Sequence, residues 1–240
     1  ASRPIAMTGA RAKLIRTLDA LERLPDPDPG SEQVATPAEL AVELLADAAA
    51  RDDLAGRSVL DLGSGGGTLA IAAAQLGAAH VLGIERDPRA VELARKNAAA
   101  VAVDVEFRCA DVGQIDERFD TVVMNPPFGA QRKGADRPFW IAALRCARRR
   151  IYGFALTESR TFIARFLVDS GGEIEATRPV RWRFPATFAF HTRRQVELAV
   201  DLWVLRPAHD ERKPTESVRD ARGAARHRRG VRARPRHVRG

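Results

Sequence analysis

Cysteine, tyrosine and long apolar runs are all scarce in this chain of 240 residues. The two cysteines, Cys109 and Cys146, exclude a disulfide framework. Neither sits in CxxC or Cys/His spacing, so no metal site is expected and both read as buried or half-buried thiols. No stretch approaches the roughly 20 apolar residues that span a bilayer, and the amino terminus lacks the charged-then-apolar pattern of a signal peptide. No membrane partner is expected, and the cytoplasm is the expected compartment. The body also lacks net charge. Of the formal +8, residues 206–240 carry 12 Lys+Arg against 4 Asp+Glu, while residues 1–205 hold 27 of each. A charge-driven affinity for nucleic acid therefore belongs to the tail and not to the body. After Pro207 the tail has no Leu, Ile or Phe. It cannot bury enough surface to offset the entropy of ordering, which predicts disorder. Such a tail is either an electrostatic arm that adds sequence-independent attraction to RNA or a low-complexity extension.

What is present is a pattern of alternation. Residues 9–24 read as a helix, with Leu14, Leu18 and Leu21 on one stripe, and Pro25-Asp26-Pro27-Asp28-Pro29-Gly30 ends it. Thr36, Pro37 and Glu39 then have the spacing of an N-cap, a first-turn proline and a capping box. From Ser58 onward, apolar runs at Val59–Leu62, Val81–Ile84, Val103–Phe107, Thr121–Met124 and Ile151–Ala155 alternate with Ala- and Leu-rich helical stretches. This predicts an α/β fold of the Rossmann-like type, a mostly parallel sheet with helices on both faces. Residues 173–183 and 195–206 have no helix between them and predict a terminal antiparallel pair, giving seven strands. The domains expected are a helical arm and Pro-rich linker at 1–30, one catalytic domain at 31–206 and the basic tail at 207–240.

Asp61-Leu62-Gly63-Ser64-Gly65-Gly66-Gly67 follows the first strand and opens a helix, the setting in which a Gly-rich loop lets a ligand approach backbone closely. A dinucleotide fingerprint would need glycine at 68, where Thr stands. The D-x-G-x-G-x-G pattern of Asp61, Gly63, Gly65 and Gly67 reads instead as the S-adenosylmethionine loop of class I methyltransferases. Glu85 lies past the second strand, where a carboxylate can accept both ribose hydroxyls, with Asp87 as the alternative. Asp111, past the third strand, can accept from the adenine amine of the donor.

Asn125-Pro126-Pro127-Phe128 follows the fourth strand. The Asn amide oxygen and the Pro126 carbonyl can accept both hydrogens of a planar NH2 group, while the Phe128 ring offers a stacking face. The two prolines fix φ and remove donors, so the turn keeps its shape when empty. These features point to methylation at nitrogen.

With this turn after the donor loop, the chain resembles class I amino-methyltransferases of the adenine-N6 type. Three segments narrow the resemblance to the methyltransferase-like protein five family: Glu32-Gln33-Val34-Ala35-Thr36, Asn125-Pro126-Pro127-Phe128-Gly129, and Phe184-Pro185-Ala186-Thr187-Phe188-Ala189-Phe190-His191 with the strand after it. It covers roughly residues 31–206. The family methylates N6 of an adenosine in small-subunit ribosomal RNA. The resemblance implies that Gln33 and Thr36 lie near the methionine end of the donor, although Val34 stands where the family has an aromatic residue and Thr36 also reads as a helix cap. It further implies a small zinc-binding activator subunit, for which the strand carrying Val103, Val105 and Phe107 is the candidate docking edge.

The base must be unpaired or flipped to enter such a pocket. Phe128 would stack on it, Arg132 and Lys133 could hold flanking phosphates, and Phe188, Phe190 and His191 would border the substrate entrance. Arg148, Arg149 and Arg150 are either a second RNA contact or a charged helix end. Three alternatives remain open: a protein glutamine-N5 enzyme, a guanine-N2 enzyme, and an inactive donor-binding scaffold for ribosome assembly.

Overall fold

The apolar runs form one sheet in a computed structural model, which describes residues 8–25, 35–129, 133–185 and 195–208. Gln33, Arg132, Phe188, Phe190, His191 and the tail from 209 lie outside the described residues. The strands are β1 (Ser58–Leu62), β2 (His80–Glu85), β3 (Glu106–Cys109), β4 (Phe119–Met124), β5 (Ala147–Leu156), β6 (Gly172–Pro185) and β7 (Gln195–Pro207), in the order β3-β2-β1-β4-β5-β7-β6. The first five pair in parallel, and β7 runs antiparallel to both of its neighbours. This is the mostly parallel sheet with a terminal antiparallel pair expected from the alternation.

Among the described residues six α-helices cover the two faces: α1 (Thr8–Asp19), α2 (Ala38–Ala50), α3 (Thr68–Gln75), α4 (Pro88–Ala100), α5 (Arg137–Cys146) and α6 (Arg160–Asp169). Successive strand residues point to opposite faces, so each strand feeds two cores. Val59, Val81 and Val123 pack with α1 to α4, including Leu14, Leu40, Ile71 and Val91. Leu60, Leu62, Val122 and Met124 pack with Trp140 of α5 and with Ile163 and Leu167 of α6. The arm helix ends at Asp19, earlier than the expected 24; it is held by the buried Leu14 and Leu18, and Leu21 just past its end is buried as well. Among the described residues no helix is long and apolar enough to cross a membrane.

Four expectations are corrected. β3 begins at Glu106, and Val103 and Val105 precede it, half-buried against the core with Phe107 buried beside them. These three side chains serve the protein's own interior, so the sheet edge presents backbone and the polar Glu106 and Arg108. Cys109 is exposed while Cys146 is buried. Thr36 is no helix cap, because α2 starts at Ala38 with Pro37 in the cap position and no side-chain cap hydrogen bond. Arg148 to Arg150 lie on β5 and not at a helix end.

Two of those arginines have a structural task. Asp53 is fully buried; its Oδ1 accepts from Arg149 Nε at 2.9 Å and its Oδ2 from Arg150 Nη1 at 3.1 Å and the Tyr152 hydroxyl at 2.7 Å. Burial and the adjacent carboxylate push the Tyr152 phenol well above its ordinary range. Removing the shared acceptor would strand the buried Tyr152 hydroxyl and free Arg149, while Arg150 would keep Glu175. Asp53→Ala is expected to cost about 3 kcal/mol, the low end for breaking a buried pair because the arginines are partly hydrated. A urea midpoint unchanged by this substitution would rule the network out as a stabilising element.

Candidate active site

Register determines the site. Leu62 of β1 pairs with Ile84 of β2 and with Met124 of β4, so Gly63 and Asn125, which follow β1 and β4, lie beside Glu85, the last residue of β2. The chain winds from β1 outward through β2 and β3, then returns to β4 on the other side of β1. This is the strand-order reversal at which open α/β sheets bind ligands.

The glycine loop is laid onto β2 by two amides: Gly63 N and Ser64 N both donate to Ile84 O, at 2.8 and 2.9 Å. Gly63 and Gly67 have φ of 72° and 91°, and a Cβ at either would lie 2.7 Å from the Phe139 ring or 2.9 Å from the Phe107 ring. Both positions therefore exclude side chains twice over. Gly65 differs, because a Cβ there would meet nothing within 4 Å. That is the open side of the loop, where a ligand can reach backbone.

Glu85 closes the loop from beneath. Its Oε2 accepts from Gly65 N at 3.0 Å, and its Oε1 accepts from Arg86 N at 2.8 Å and Asp87 N at 3.0 Å. A carboxylate has about four acceptor sites, so capacity remains for a ligand hydroxyl. Asp87 caps α4 by accepting from Arg89 N, which gives it a structural duty. Asp111 is exposed and holds the turn after β3 by accepting from Gly113 N at 2.8 Å.

Asn125 forms the other wall. Its Nδ2 donates to Thr36 Oγ1 at 3.1 Å, while its Oδ1 is buried without a hydrogen-bond partner among the described residues. The hydroxyl freed from capping duty thus fixes the amide and leaves the oxygen as an unused acceptor. Pro126 is buried, and Pro127 and Phe128 are half-buried. The Phe128 ring meets Trp182 of β6 edge-on, with centroids 5.3 Å apart and planes at 79°. Trp182 in turn rests against Phe154. Lys133 is exposed beyond this wall.

Asp61, the three loop glycines, Glu85, Thr36 and Asn125 thus converge at the carboxyl edge of β1, β2 and β4. Two contributors escaped sequence reasoning. Asn97 of α4 is buried and donates through Nδ2 to Gly66 O at 2.9 Å and Glu22 O at 3.0 Å, while its Oδ1 accepts from Glu22 N. It ties the loop to the segment after α1. Trp182 lies on a strand far along the chain. An asparagine within an Ala-rich helical stretch was the only available hint of the first, and nothing in sequence spacing foretold the second.

Residues 35–150 match the family model described as Methyltransferase small domain. The chain is similar to an uncharacterized protein of Methanocaldococcus jannaschii, 36% identical over 195 residues, covering 76% of this chain and 88% of that protein. It is similar to the rRNA N(6)-adenosine-methyltransferase Mettl5 of Drosophila melanogaster, 33% identical over 199 residues, covering 80% of this chain and 93% of the fly protein. A crystal structure of a candidate RNA methyltransferase from Pyrococcus horikoshii superposes with a TM-score of 0.78 at 33% identity, covering 84% of this chain and all of the other (100%).

Asp61 is the electrostatic anomaly of the site. Its Oδ2 accepts from Ala70 N at 3.0 Å, yet its Oδ1 is buried with no hydrogen-bond partner among the described residues. Burial, assisted by the nearby Glu85 charge and opposed by the Ala70 amide, pushes its carboxyl up to about 7. A carboxyl raised on folding makes the unliganded fold progressively less stable as pH rises from the unfolded value near 4 through about 7. Asp61→Asn removes that penalty, so the variant should gain stability relative to the parent between pH 5 and pH 8. Urea midpoints at the two pH values test this, and a constant difference would contradict it.

Proposed function

We propose that this chain, which belongs to the Mettl5 family of rRNA N(6)-adenosine methyltransferases, uses S-adenosylmethionine to methylate N6 of an adenosine in small-subunit ribosomal RNA. The observation that carries the reading is the Asn125 side chain. Its nitrogen is committed to Thr36, and its oxygen is a buried acceptor that lacks a donor of its own. A planar NH2 group is the complement of that oxygen together with the Pro126 carbonyl.

The residues present fit the donor. Asp61 has a buried oxygen with unused capacity, Gly65 has open space above it, and Glu85 retains one acceptor site of about four. Gly63, Gly65 and Gly67 would cradle the donor, Asp61 with Gln33 and Thr36 would face its methionine end, Glu85 would take the ribose, and Asp111 the adenine. When bound, S-adenosylmethionine supplies an electrophilic methyl group carried on a sulfonium. The protein's task is then positioning. The N6 lone pair of adenine is delocalised into the ring, and accepting both N6 hydrogens at Asn125 Oδ1 and the Pro126 carbonyl orients that nitrogen. Phe128 stacks on the base, with Trp182 behind it. No general base is needed beforehand, since the amine becomes strongly acidic on methylation and releases a proton to water at the site. Arg132, Lys133, Phe188, Phe190 and His191 would contact the RNA around the target.

A small zinc-binding activator subunit would add a strand to β3, which ends the sheet. The contact would rest on main-chain hydrogen bonds, since Val103, Val105 and Phe107 face inward. The basic tail would add attraction to RNA, and the working compartment would be the cytoplasm.

The deciding experiment incubates the full chain, with and without the activator, with labelled donor and deproteinised small-subunit RNA, and identifies the modified nucleoside. N6-methyladenosine is expected. Label on protein alone, methylation on guanine, or donor binding without transfer would each replace this reading with one of its rivals. Asn125→Ala should lower transfer by about 100-fold or more while donor affinity stays within a few fold. Thr36→Val should lower kcat by about tenfold by releasing the amide, again with donor retained. Donor affinity lost with transfer preserved would sink the assignment.

A further inference from the structure

Phe162 of α6 is half exposed, more so than any other phenylalanine, tyrosine or tryptophan whose burial is described. Phe166 lies one turn on, its ring nearly parallel at 10° with a centroid separation of 6.4 Å. The Arg137 guanidinium sits over both, 4.8 Å from the Phe162 centroid and 5.8 Å from that of Phe166. Together with Arg165 and Asp169 they line an open groove of about 400 Å³. Arg165 makes only a long, exposed ion pair with Asp169 at 3.9 Å, worth little in water, so its charge is available.

The groove's place in the fold gives it meaning. Arg137 is the first residue of α5, the helix after the Asn-Pro-Pro-Phe turn, and Phe162 lies in the first turn of α6, the helix after β5. Both helices begin at the carboxyl edge of the sheet, the edge that holds Asn125. The first turn of α5 also touches the donor loop, since Phe139 stands against Gly63. Arg160, which opens α6, is anchored through both nitrogens to the buried Asp201 of β7, and Thr157 Oγ1 donates to the same carboxylate. The start of α6 is therefore anchored to β7 at that edge of the sheet.

We propose that this groove is a stacking slot for one unpaired nucleobase flanking the target adenosine, with Phe162 as the platform and Arg137 and Arg165 facing the adjoining phosphates. An aromatic ring beside cationic forks is the combination that binds single-stranded RNA, because every base has a π-face and every linkage a charge. An apolar protein partner would leave both guanidiniums without counterparts. A slot here holds the strand on the far side of the pocket wall from the donor, keeping the flipped adenine in register.

The inference rests on the RNA reading above, and its test separates the two. Steady-state kinetics of the full chain are measured on an RNA oligonucleotide containing the target, and on versions with an abasic nucleotide at each flanking position in turn. Phe162→Ala and Phe162→Leu should each raise KM for RNA about fivefold or more, with kcat and donor affinity retained, and Phe162→Tyr should restore the parent value. One abasic position should raise the parent's KM to the same extent and add nothing in Phe162→Ala. An unchanged KM, rescue by Leu, or equal abasic penalties in parent and variant would overturn the slot. A defect seen only on assembled ribonucleoprotein would mark the patch as a protein contact and also overturn it. Failure of the RNA reading would look different: no methylated nucleoside from the parent chain at all.

Discussion

Everything in the site depends on one alignment, the parallel pairing of β1 with β2 on one side and β4 on the other. A shift of one residue would turn Asp61 to the opposite face and move Gly63, Glu85 and Asn125 out of line. That register is enforced from both faces, because the Val59 row and the Leu60 row each enter a separate apolar core. The chemistry-bearing residues need no interactions with one another to converge. Asp61 and Glu85 sit at the carboxyl ends of β1 and β2, Gly63 and Asn125 follow β1 and β4, and the loop amides bonded to Ile84 O extend the same order past the last residue of β1.

Three fully buried aspartates show how the protein distributes electrostatic cost. Asp53 is matched by two arginines and a tyrosine, and Asp201 by Arg160 and Thr157. Both are anchored charges that pin β5 and the start of α6. Asp61 has a single backbone amide and a shifted carboxyl. The contrast separates construction from function better than burial does, since all three are equally hidden.

Much of this was legible in the sequence because the determinants are local or periodic. Strand positions follow from apolar runs, the glycine loop from its spacing, and the shape of the Asn-Pro-Pro-Phe turn from two prolines that fix its backbone. β3 was misplaced because Val103 and Val105 alternate like a strand while packing beneath α4 as a loop. Thr36 carried a capping pattern that the fold did not use, and its partner Asn125 stands 89 positions away. Arg148 to Arg150 looked like an RNA contact because the buried carboxylate that claims two of them is 96 positions distant. In each case a long-range partner outweighed a local signal.

The tryptophans give the molecule an optical property. Trp140, Trp182 and Trp203 are all buried, so their emission originates in the interior and is shielded from quenchers in solvent. Only Trp182 pairs with the Phe128 ring at the pocket wall, while Trp140 and Trp203 belong to the core on the other face of the sheet. One indole out of three therefore senses the pocket, with two internal standards at fixed distance. Occupancy of the wall can be followed by intrinsic fluorescence in the unlabelled protein, with Trp182→Phe as the blank.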